Sequence, residues 1–157
     1  GPNITLYFED NLTMHYQIQE MLRAEKIFES SAIDEELAVY NAMIPDGNNW
    51  KATLMIEFTD EEERRVALKK MLGIENNLWL KIQGFSEIYP ISDEDLERSD
   101  EDKTSAVHFL RLQLDHEMIN GLKDGCELSA GINHPEYEYT VNPIAQNISE
   151  SLISDLD

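Results

Sequence analysis

The chain has 157 residues, enough for one domain and short for two. Its 41% hydrophobic content can fill a core unaided, and its one cysteine, Cys126, excludes an intrachain disulfide and cysteine-rich zinc or iron–sulfur sites. Thirty-two acidic against twelve basic residues give a net charge of −20, which repels phosphate backbones and anionic lipid; the expected partners therefore include no nucleic acid and no membrane, and a basic protein is favoured.

No apolar run approaches the roughly 20 residues that cross a bilayer. A signal-peptide pattern is also missing, so the expected setting is the reducing cytoplasm. Gly1-Pro2 has the form of a protease scar, and the expectation is that residues precede it in the natural chain.

Taken in order, ITLYFED (4–10) alternates with Ile4, Leu6 and Phe8 on one face and predicts a strand. A helix follows to about Phe28, with Thr13 as its expected cap. A second helix is predicted from near Asp34 to Met43, broken by Pro45-Asp46-Gly47. WKATLMIEF (50–58) is a strand with Ala52, Leu54, Ile56 and Phe58 inward. Thr59 to Glu62 reads as a capping box opening a third helix that stops at Gly73. Asn76-Asn77 turns into the strand LWLKIQ (78–83), and IYPI (88–91) reads as a short edge strand because of Pro90.

The acidic run 92–103 reads as a charged, solvated connection, with room for one helical turn. TSAVHFLRLQL (104–114) is the longest predicted strand; Asp115 caps a short helix ending near Gly125; CELSAGIN (126–133) is the last strand. His134-Pro135 starts a loop, and residues 145–157 form an acidic, weakly amphipathic helix. Strands and helices intermingle, but many connections are too short for parallel crossovers. The expected fold is α+β: a single domain spanning 1–157, with a mixed or mainly antiparallel sheet and packed helices.

Polar residues at costly positions are the candidates for chemistry. Glu25 falls within the apolar stripe of Met14, Ile18, Met21, Leu22 and Phe28, about 20° from Met14 on a helical wheel. An ion pair with Arg111, Arg64 or Arg65, a functional carboxylate and an exposed edge all fit that position. The expectation adopted is a buried pair with an arginine. Glu57 and Arg111 oppose the apolar faces of their strands; were those strands neighbours, Glu57, Arg111, Ser105 and Phe109 would share a sheet face. That face is either a solvated surface with a cross-strand ion pair or the floor of a cleft for a small polar ligand. His108 shares parity with Ala106, Leu110, Leu112 and Leu114 and reads as a satisfied core histidine. His134 sits at a strand end, either as a turn residue or as a ligand or acid–base group. His15 and His116 read as exposed helix positions, and Cys126 as buried and inert.

Sharper motifs fail on inspection. Glu-x-x-His repeats, HExxH, GxSxG and glycine-rich phosphate loops are all missing. Asp93, Asp95 and Glu97 begin like a calcium loop, but Arg98 stands where glycine is required and Thr104 where the bidentate acid belongs. No spacing selects a metal or other cofactor, although Glu57, His108 and His134 are oxygen and nitrogen donors that could ligate one.

The stretches FEDNLTMHYQIQEMLRAEKIF, ELAVYNAMIPDG, WKATLMIEF, SAVHFLRLQL and NHPEY resemble an uncharacterised bacterial family of unknown function across essentially the whole chain. The resemblance implies a basic, helix-prone segment upstream. It also implies gene company with rubrerythrin-like peroxidases and iron–sulfur oxidoreductase subunits. The matching stretches include Tyr16 to Glu25, Glu57, Ser105 to Phe109 and His134-Pro135. Two functions are carried forward. One is an acidic, non-enzymatic accessory or interaction protein with a redox-protein partner in peroxide defence or electron transfer. The other is a small-molecule or metal-binding enzyme in which Glu25, Glu57, His108, Arg111 and His134 converge on one pocket.

Overall fold

The computed structural model describes residues 1–94, 98–100 and 102–157, together with the backbone but not the side chain of Val39. The chain runs β1 (Ile4–Glu9), α1 (Asn11–Glu25), α2 (Ser30–Asn41), β2 (Asn49–Ile56), α3 (Glu61–Lys70), a 3-10 turn (Ile74–Asn77) and β3 (Leu78–Ile82). It continues with β4 (Glu87–Ile88), β5 (Ile91–Ser92), β6 (Val107–Gln113), α4 (His116–Lys123), β7 (Leu128–His134), β8 (Tyr137–Val141) and α5 (Gln146–Ser154). Among the described residues the strands form two four-stranded sheets, ordered β1-β2-β6-β5 and β4-β3-β7-β8. Every pairing within them is antiparallel, and the fold is α+β.

Period-two alternation decides which face is buried. Ile4, Leu54, Ile56, Leu110 and Leu112 from the first sheet meet Leu78, Leu80, Ile82, Leu128 and Ile132 from the second in one continuous core. Trp50, 1% exposed, closes one end: its ring packs edge-on to Phe8, and its Nε1–H donates to the Leu152 carbonyl at 2.9 Å, fastening α5 to the sheet. Beyond α5, Asp157 N–H donates to Gly47 O at 2.9 Å. Gly47 has φ of 92°, and a Cβ there would strike the Asp157 carboxylate, so both backbone and packing require glycine.

Several expectations are corrected. IYPI is not one edge strand: β4 pairs in the second sheet and β5 in the first, and the chain crosses between sheets at Pro90, which has no N–H to continue a ladder. The stretch after His134 is a hairpin carrying the edge strand β8, whose mostly exposed side chains give no inward–outward signal although Tyr, Thr and Val favour strands. Asp115 caps α4 as expected, but the caps of α1 and α3 lie three residues and one residue from the expected ones. Asp10 caps α1 in a reciprocal box with Thr13, and Asp60 rather than Thr59 accepts from the Glu63 N–H.

Glu25 is exposed, and it makes no ion pair among the described residues. The physical reason is that α1 ends there, with Lys26 left-handed at φ 54°. Only Met14 and Ile18, in its first half, are buried, and Phe28 is 81% exposed. The apolar stripe leaves the protein before it reaches Glu25.

Asp155 at the C-terminal end of α5 has its pKa raised by burial and then by the negative charge of Asp10. A carboxyl raised in the folded state subtracts stability wherever it must ionise, so the penalty is full above that raised pKa and vanishes below the unfolded one. Asp155→Asn is expected to raise the melting temperature at pH 7 and to make no difference below about pH 3. Thermal unfolding of both proteins across that range checks the prediction.

Candidate functional site

β6 carries different chemistry on its two faces. Inward, His108 is fully buried, with Nδ1 donating to Asp93 Oδ2 at 2.6 Å and Nε2 2.8 Å from the Thr104 hydroxyl. Thr104 lies 3.3 Å from Glu75 Oε2, and that carboxylate is 3.7 Å from His108 Nε2. Asp93 is left-handed at φ 50°, a strained region that aspartate tolerates better than most residues. Its Oδ1 accepts from Phe109 N–H at 3.0 Å and from Arg98 Nη1 at 3.2 Å, while its own N–H donates to Phe109 O at 2.8 Å. The run 92–103, expected to be solvated, thus begins with an anchored carboxylate. Asp95 and Glu97 lie outside the described residues.

The order Asp93–His108–Thr104 is that of a nucleophilic relay. Thr104 is only 1% exposed and His108 0%, so no substrate reaches the hydroxyl, and the cluster acts as a structural hub. His108 is the satisfied core histidine that its parity predicted. Removing it leaves buried Glu75 and half-buried Asp93 beside a void.

Outward, the register aligns Glu9, Lys51, Arg111 and Ile91 across the four strands of the first sheet, with Tyr7, Thr53 and Phe109 in the next row. A cleft of about 470 Å³ opens over these rows, walled by Ala42 and Met43 after α2 and by Glu94. Glu9, 8% exposed, accepts from Thr53 Oγ1 at 2.7 Å, Thr13 Oγ1 at 2.9 Å and Gln17 Nε2 at 3.2 Å, tying the start of α1 to the sheet. Arg111 grips Glu94 with two bonds of 2.8 and 2.7 Å. That grip holds the Glu94 carboxyl below the usual carboxylate range, helped by the charges of Arg111 and Lys51, and raises Arg111 further above its ordinary value. Lys51 is half-buried and has no hydrogen-bond or ion-pair partner among the described residues. Arg98 stacks on the Phe109 ring at 4.4 Å.

The sequence-derived candidates do not converge. Arg111 and Phe109 line the cleft, but Glu57 does not: it is exposed at the end of the β1–β2 ladder, where Thr5 Oγ1 donates to it at 2.6 Å. Glu57 lies past β2, whereas Arg111 is opposite Lys51, so the expected cross-strand ion pair is replaced by Arg111–Glu94. Ser105 turns back to accept from Val107 N–H. His134 is buried in the second sheet, where Nε2 donates to Leu72 O and Nδ1 accepts from Glu136 N–H, both at 3.2 Å. His108 and Arg111 are on opposite faces of β6. Glu57, His108 and His134 thus share no site, and no group of three or more His, Cys, Asp or Glu side chains among the described residues could hold a metal. Cys126 is half-buried rather than buried.

Glu9, Lys51, Thr53 and Glu94 do not stand out as site residues in the sequence. Strand parity puts the first three on the outer face, but only the helices after β1 and Glu94 turn that face into a cleft.

Two antiparallel sheets around one core, flanked by helices and bearing an outer cleft, define a small α+β protein with a ligand-sized depression. The chain belongs to the family described as "Protein of unknown function (DUF3501)", whose model matches residues 1–156. It is similar to a crystal structure at 1.90 Å resolution of a novel protein of unknown function from Burkholderia pseudomallei K96243. The two share 46% identity with a TM-score of 0.93, over 100% of this chain and 81% of that one. No curated protein matches the chain. Among the described residues no helix is long and apolar enough to cross a membrane.

His108→Ala is expected to lower stability by about 3 kcal/mol, as for other broken buried charge networks. Urea unfolding measures it, and a loss under about 1 kcal/mol would show that Asp93 and Glu75 find water instead.

Proposed function

We propose that this chain is a non-enzymatic accessory protein that binds a small organic anion in the cleft above β2 and β6. The observation that carries the reading is Lys51, half-buried and without a partner among the described residues, opposite Arg111 in the strand register. A half-buried ammonium with no carboxylate bonded to it gains more from a ligand carboxylate than one fully in water. Met43, Ala42 and Phe109 supply apolar contact for the rest of the ligand. Glu94 keeps Arg111 neutralised until a ligand competes for it.

Native mass spectrometry followed by thermal shifts with a panel of mono- and dicarboxylates tests this. The wild-type protein is expected to be stabilised by at least one of them, with Lys51→Gln losing about tenfold in affinity. Glu94→Gln should tighten binding several-fold, because it removes the competing carboxylate. Carboxylates that stabilise wild type and Lys51→Gln equally would overturn the reading.

A second reading is supported by the charge of −20 and by the family resemblance: docking of a basic redox-protein partner in the cytoplasm, in peroxide defence or electron transfer, with no role for nucleic acid or membrane. Pull-downs from a native host at low salt with the full-length protein should then recover a redox protein. Recovery of none would remove this reading and leave the cleft untouched.

A further inference from the structure

α3 is exposed along most of its length: none of its residues is buried, and Val66 is 43% exposed. Ala67 and Leu68 on its inner side pack against the core, and Val66 is left as the exposed apolar side chain of the helix. Beside it, Phe58, Val66, Ala67 and Met71 line a groove of about 530 Å³. The far wall is the turn of the β7–β8 hairpin, represented by Glu136. His134 holds that turn in place, since its ring bonds Leu72 O just past α3 on one side and Glu136 N–H on the other. The groove is therefore pre-formed, with its two walls fastened by one imidazole.

Its rim is acidic. Asp60, Glu62, Glu63 and Glu136 surround the apolar strip, with Lys70 the one cation in the lining. Glu62 is neutralised by Arg65, and the bond to Arg65 holds its carboxyl below the ordinary range. The remaining acids face solvent in a chain that is already strongly negative. An apolar floor with acidic borders matches a helix that has Leu or Phe on one side and Lys or Arg flanking it. It disfavours an acidic partner or a second copy of this chain.

We infer that the groove between α3 and the β7–β8 turn docks a basic amphipathic helix of a partner protein. This rests on the accessory reading, in which the partner is basic, and it assigns that reading a surface. It is separate from the anion cleft, with which it shares no lining residue.

The test uses a fluorescently labelled model peptide of Lys and Leu with helical periodicity, titrated by anisotropy with the whole chain at low and at high salt. Val66→Gln removes the apolar anchor from an exposed helix position without changing charge. Glu63→Lys reverses a rim charge, and Glu127→Lys makes the same charge change at an exposed residue between α4 and β7. Circular dichroism confirms that each variant is folded. The expected result is saturable binding weakened about tenfold by Val66→Gln and by Glu63→Lys, with Glu127→Lys close to wild type. Equal weakening by the two charge reversals, with no effect of Val66→Gln, overturns the groove and leaves a basic partner drawn by net charge alone. No saturable binding by wild type at low salt overturns both the groove and the basic-partner reading.

Discussion

The hydrogen bond between His108 and Asp93 joins the centre of β6 to a backbone that has just crossed from one sheet to the other. Around it, Thr104, Glu75 and Arg98 bring together the start of β6, the 3-10 turn and the acidic run. Carboxylates turned away from solvent are costly unless each oxygen finds a donor, and half-buried Asp93 meets that requirement with a ring, a backbone N–H and a guanidinium. Its left-handed backbone persists because these bonds over-determine it. Once Asp93 is fixed inward, Glu94 is delivered outward, within reach of Arg111. The cleft wall therefore depends on a contact made on the opposite side of the sheet.

Charge is distributed unevenly with respect to these features. The chain is strongly acidic, yet the cleft pairs two bases, Lys51 and Arg111, with two acids, Glu9 and Glu94. Glu9 is satisfied by neutral donors and Glu94 by Arg111, so Lys51 is the cation without a bonded partner among the described residues. In a protein of net charge −20, local cations outweigh the screened field of the rest only at short range. The groove by α3 has a different lining, with Asp60, Glu62, Glu63 and Glu136 against Lys70. The cleft with its two cations and the acid-rimmed groove by α3 thus lie on different surfaces.

The two histidines that stood out in the sequence both hold structure, by different means. His108 is enclosed by charged partners in the core. His134 satisfies its ring with two backbone groups and fixes the geometry of a hairpin against a helix end. Neither offers a free nitrogen to a substrate, which removes the pocket that would have needed them together with Glu25, Glu57 and Arg111.

What the sequence determined by itself was local. Alternation in ITLYF, WKATLMI and SAVHFLRLQL placed the apolar faces, and helix breakers such as Pro45-Asp46-Gly47 and Gly73 placed the ends, because period and backbone propensity act over a few residues. The parity of His108 and the outward position of Arg111 were legible for the same reason. The family was legible from whole stretches rather than from any one residue. Tertiary structure alone decided which outward residues line the cleft. Glu9 is buried only because α1 folds back over it, Asp93 turns inward only because the chain crosses sheets at Pro90, and Glu25 is exposed because α1 outruns the surface it packs on. Those outcomes depend on contacts between residues far apart in the chain, and periodicity along one segment carries no information about them.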